Sequence, residues 1–151
     1  RSFDEAKLLK TYNEFKLKNI QGADKNPSVI HKKLWERVGG LSEEFNPGDG
    51  SDPDFVLKLW NIGIRIFKGL SNFRVYHFGS ITTRKNKNIN LNNGTQIFLM
   101  KWGFTYKFFQ KYYLSHQTEY LGPLTEPKKN IFFYLQLCIC KIRLFVQYIK
   151  N

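Results

Sequence analysis

Acidic residues are scarce in this chain. It has 12 Asp+Glu against 24 Lys+Arg, for a formal net charge of +12 over 151 residues. That balance favours an anionic partner: nucleic acid, acidic lipid or a phosphorylated substrate. Cysteine is nearly absent too. Cys138 and Cys140 are the two present, and at i and i+2 on a helix they point to different faces and do not bridge. A disulfide-rich secreted framework is thereby excluded, and a reducing compartment is favoured. No CxxC pair or HExxH run supports a structural zinc site. Residues 1–18 are charged and amphipathic rather than signal-like. No internal repeat is present.

Aromatic residues are plentiful. They make up 17% of the chain, with 14 Phe and 8 Tyr, and hydrophobic residues reach 42%. This is enough for a core built on rings, and it argues against disorder. The length fits one domain or a piece of one. A start at Arg1 rather than Met is the expectation for a processed chain or an excised piece of a longer protein.

Periodicity and breakers predict the elements. Residues 4–18 read as a helix, with Leu8, Leu9, Tyr12 and Phe15 at helical spacing. Residues 19–27 read as a loop, and Ser28-Val29-Ile30 as a short buried strand. Residues 32–38 read as a helix stopped by Gly39-Gly40. Pro53 suits the first position of another helix, which puts Asp52 at the N-cap and ends at Gly63. Residues 64–67 and 73–78 are β-rich. Residues 82–93 are polar and basic and predict a surface loop. Residues 95–102 and 106–114 read as helices, 115–127 as a linker, and 128–150 as a long C-terminal helix. The helix is apolar nearly all round, so it needs a partner: the domain itself, another chain, or a membrane surface.

Three features carry chemistry. Asp52 serves either as a cap or as a general base, because a helix N-terminus holds a carboxylate ionised. Asp52-Pro53-Asp54 also spells Asp-x-Asp, but carboxylates at a helix start diverge and suit a hard cation poorly. His77 ends an apolar run just before Gly79-Ser80. It is either a packed ring or a ligand for a divalent cation. Residues 82–87 form either a solvated loop or a diphosphate clamp, with Arg84 and Lys85 as the cations.

In order, the chain reads Lys32-Lys33-Leu34-Trp35-Glu36-Arg37-Val38-Gly39-Gly40-Leu41, then Gly50-Ser51-Asp52-Pro53-Asp54-Phe55, then Val75-Tyr76-His77-Phe78-Gly79-Ser80. This resembles the C-terminal half of a family 2, inverting glycosyltransferase with the A-type fold, over roughly residues 27–102. The resemblance implies an α/β architecture: a partial A-type domain of short strands and several helices, followed by a long C-terminal helix. Residues 1–114 would form the acceptor-side half of the catalytic domain, 115–127 a linker and 128–151 the terminal helix. Asp52 would be the catalytic base. His77 would complete a Mn²⁺ or Mg²⁺ site on the donor diphosphate. Trp35, Gly39 and Gly40 would wall the acceptor and donor, with Asp54, Lys58, Arg84 and Lys85 also binding substrate. Ser51 stands where the family usually has glutamate.

The implied reaction moves a sugar from a nucleotide-diphospho-sugar to an acceptor hydroxyl, in glycan or cell-surface polysaccharide synthesis. The partners would be that donor, a glycan or lipid-linked acceptor, and the nucleotide-binding half of the same enzyme, whose alternating strands and helices are not in this sequence. The expected location is cytoplasmic, at the inner face of a membrane if the terminal helix docks there. Two rival readings stand beside it: a basic nucleic-acid-binding module with aromatic platforms such as Tyr76, Phe78 and Trp102, and a non-catalytic scaffold or interaction domain derived from a transferase.

Overall fold

The computed structural model describes residues 3–14, 16–76 and 91–150. Among these residues the architecture is mixed: six α-helices and one two-stranded antiparallel sheet. The helices are α1 (Glu5–Thr11), α2 (Lys32–Val38), α3 (Ser51–Asn61), α4 (Gly94–Trp102), α5 (Tyr106–Tyr112) and α6 (Ile131–Lys150). The strands are β1 (Ile20–Gln21) and β2 (Lys68–Gly69), registered Ile20 to Gly69 and Gln21 to Lys68.

Caps explain most of the helix bounds. Asp4 accepts from Lys7 N at the start of α1, Asn93 from Gln96 N at α4, and Thr105 from Phe108 N at α5. Each satisfies an amide that the helix leaves orphaned. α2 ends where expected, because Gly39 takes φ 74° and Gly40 N donates to Trp35 O at 3.0 Å. α1 stops well before residue 18, passing into a single 3₁₀ turn at Tyr12–Glu14.

The strand expectations need correction. Residues 28–30 are irregular, and Val29 is 91% exposed rather than buried. Neither 64–67 nor 73–76 is extended into a ladder. Pairing falls instead on β1 and β2, each two residues long. The 115–127 segment also takes part. Gln21 N donates to Thr118 O, Tyr120 N to Asn19 O, and Leu124 N to Arg65 O. β1 is therefore flanked on both sides.

α3 is the core's centre. Phe55, Val56, Leu57, Leu59 and Trp60 are all buried, and they meet Phe45, Phe67, Phe98, Phe109 and Leu114. The Trp60 ring packs edge-on to Phe109 and Tyr113, and the Arg65 guanidinium lies 3.9 Å above it. A smaller cluster of Phe108, Phe133 and Cys140 seats one side of α6.

Candidate functional site

The start of α3 separates two carboxylates that stand only two residues apart. Asp52 is not the N-cap. Gly50 holds that position at φ 101°, and a Cβ there would meet the Phe45 ring. Asp52 therefore lies inside the first turn. Its Oδ1 accepts from Asn26 Nδ2 at 2.7 Å, and Ser28 Oγ braces Asn26 in turn at 3.0 Å. Asp52 lines an open groove of about 1550 Å³, together with Asp24, Lys25, His31 and Trp35. Burial pushes its carboxyl above the ordinary range, with the bond from Asn26 opposing and Asp24 adding to the rise.

Asp54 faces the other way and is 0% exposed. Ser42 Oγ donates to it at 2.6 Å, Trp102 Nε1 at 2.8 Å and Lys101 Nζ at 2.8 Å. Lys58 Nζ lies 3.4 Å away and also donates to Gly40 O. Burial alone would raise the Asp54 carboxyl, but the bonds from Lys101, Ser42 and Trp102 outweigh it and hold the group below its usual value. Lys101 continues to Glu44 Oε1 at 2.6 Å, which lowers that carboxyl as well. Asp54 and Lys58 are thus placed in an internal hub joining α3, α4 and residues 40–44. Asp54 has no surface left for a substrate.

Trp35 closes the groove near Asp52. Its ring packs 5.0 Å from Phe55 and folds back over Gly40, where a Cβ would collide with the indole. Gly40 is therefore fixed by Trp35 as well as by its φ of 63°, and Gly39 serves as the helix cap. Asp52 and Trp35 line one groove, whereas Gly40 lies under the Trp35 ring and Gly39 caps α2, and neither glycine is part of the groove's lining. His77, Arg84 and Lys85 lie outside the described residues. Val75 and Tyr76, just before His77, line the same groove as Asp52.

Asn26, Ser42 and Lys101 are not singled out by the sequence, and Trp102 stands there only as an aromatic platform of the nucleic-acid reading. A largely buried Trp needs a partner for its N–H, which is a signal for Trp102, but nothing local names Asp54 as that partner. Among the described residues, no three His, Cys, Asp or Glu side chains gather to hold a metal ion. No known protein family, curated protein or solved structure matches this chain.

Proposed function

We propose that this chain is the acceptor side of an inverting glycosyltransferase with an A-type α/β fold, and that Asp52 is its catalytic base. One observation carries the reading: of two neighbouring carboxylates, one is consumed by the fold and the other is held at a groove with a raised proton affinity. A base in this position takes a proton more readily than an ordinary aspartate.

In the proposed step an acceptor hydroxyl enters beside Trp35. Asn26 holds one oxygen of Asp52, and the other takes the hydroxyl proton. The acceptor oxygen bonds to the anomeric carbon while the bond from that carbon to the diphosphate breaks. The nucleoside diphosphate leaves with the electron pair, and the configuration inverts. A Mn²⁺ or Mg²⁺ ion on the donor would offset the leaving group's charge. In this proposal His77 would hold that ion, and Arg84 and Lys85 would contact the donor phosphates. The nucleotide-binding half of the enzyme would pack against the apolar wall of the groove, which leaves Val29, Leu41 and Ile66 exposed in this chain.

The test is Asp52→Asn in the enzyme that joins this chain to its nucleotide-binding half. Transfer should fall by about 10²-fold or more, with donor binding retained. The thermal midpoint should stay within ~2 °C of wild type or rise, because the substitution removes a partly desolvated charge. Wild-type turnover by the variant would sink the proposal. A nucleic-acid module fits less well, because Lys18 and Arg65 at the groove are paired with Glu119 and Glu126. A steeply salt-dependent affinity for single-stranded nucleic acid would reverse that judgement.

A further inference from the structure

We infer that α6 lies in the plane of an anionic membrane surface, with its outward face inserted among the lipids. This inference stands apart from the sugar-transfer reading. α6 packs on the domain through Phe133, Leu137, Cys140 and Leu144, spaced four, three and four residues apart. Phe133 sits among Phe108, Tyr112 and Tyr113, and Cys140 Sγ lies 3.8 Å from Thr105 Oγ1. Asn130 caps the helix through Phe133 N at 3.0 Å. One side of α6 is therefore committed to the protein.

The opposite side is apolar and open. Two residues on from Phe133 is roughly 200° around the helix, and there stand Leu135, Ile142 and Ile149 in heptad register. Ile131, Phe132 and Phe145 flank them. All six are exposed, Phe145 by 64%. The polar positions fall between the two apolar sides: Gln136 and Arg143 on one flank, Lys141 on the other. Lys141 Nζ lies over Gly103, the C-cap of α4. Lys128 and Lys129 precede the helix, and no acidic residue occurs from 127 to 151.

This layout selects the occupant. An apolar stripe with cations on its flanks and none in its centre matches a helix lying at the headgroup level, the stripe among acyl chains and the cations on lipid phosphates. α6 is long and apolar enough to cross a bilayer by length and composition. A crossing, however, would carry Lys141 and Arg143 near its midpoint and strip the helix from α4 and α5. A second copy of the chain fits worse. Two antiparallel α6 helices meeting through this face would bring Lys141 and Arg143 of each copy together, with no carboxylate on either helix to pair them.

The experiment uses the full chain and sedimentation with two kinds of vesicle, phosphatidylcholine alone and phosphatidylcholine with phosphatidylserine. The wild type should bind the phosphatidylserine vesicles at least tenfold more tightly. Ile142→Asp with Phe145→Asp should weaken that binding by about tenfold or more, and Lys128→Glu with Arg143→Glu by a comparable factor. Leu121→Asp, 91% exposed and off the helix, should change nothing. Equal binding to both vesicles, or undiminished binding by Ile142→Asp/Phe145→Asp, would overturn the inference. A stable dimer in lipid-free solution that the same pair dissociates would overturn it, as would bound protein that resists alkaline extraction like a spanning helix.

Discussion

Asp52 and Asp54 share a helix turn, yet the two side chains do opposite work. The difference lies in what meets each carboxylate. Asp54 receives donors from residues 42, 101 and 102, so its ionised form is stabilised in the folded chain. Its folded carboxyl is held low, so its contribution to stability is complete above the unfolded value near 3.8. That contribution is lost as pH falls through the folded value. Removing the carboxylate strands Lys101 and Lys58 beside a buried gap. Asp54→Ala should cost about 3–5 kcal/mol and flatten the acid limb of stability. Urea unfolding between roughly pH 3 and 7 measures both effects. A loss below about 1 kcal/mol would mean the hub contributes nothing to stability. Asp52 has the reverse sign. Its folded carboxyl is raised, so the native state holds its proton more tightly than the unfolded chain. Ionising it works against stability as pH rises through that window, which is why Asp52→Asn should not destabilise at neutral pH.

At the level of elements, the junction between α4 and residues 45–50 holds the site in place. Asn92 N donates to Pro47 O at 2.7 Å, and its Nδ2 donates to Asn46 O at 2.9 Å. Gly94 opens α4 so close to Asp49 that a Cβ would overlap the Asp49 carbonyl. Gly94→Ala should therefore cost about 3 kcal/mol by driving α4 off the start of α3. The same change at Gly63, where a Cβ meets nothing but φ is 93°, should cost about 1 kcal/mol. Chemical denaturation of both variants compares steric overlap with backbone strain, and equal losses would refute the close-approach argument. Such junctions mark the limit of what the sequence discloses. α2 was legible to the residue, because Gly39-Gly40 is a local stop signal. α3 was legible as a helix but shifted at its start. Proline is tolerated throughout a first turn that lacks internal acceptors, so Pro53 could not choose between Gly50 and Asp52 as the cap. β1 and β2 were missed because each is two residues long and its partner lies 47 or more positions away. No local propensity encodes that pairing, and the β-rich runs at 64–67 and 73–76 form no ladder: Phe67 is buried, but Ile66, Phe73, Val75 and Tyr76 stay exposed. At the site, Asp52 was legible as a residue at the start of α3. The Asp54 hub was not, since three of its four donors come from other elements.

Among the described residues, many large apolar side chains stay exposed, and two groups of them stand out. One is the wall of the groove beside Asp52, including Ile66 at 59% exposure and Phe73 at 54%. The other is the outward face of α6. The two should be separable with a dye that fluoresces on apolar surface. Ile66→Asp with Phe73→Asp should lower the fluorescence of 1-anilinonaphthalene-8-sulfonate and leave vesicle binding intact. Ile142→Asp with Phe145→Asp should lower it by a separate increment, and the four changes together should add. Because all four side chains are exposed, the thermal midpoint should move by no more than ~3 °C in either pair. If the proposed nucleotide-binding half docks on the groove wall, joining it should suppress the groove increment and spare the α6 increment. A groove pair that lowers the midpoint by ~10 °C or more would show that the wall is core rather than an open surface. The groove would then be too closed to admit an acceptor, and Asp52 would lose its proposed role along with it.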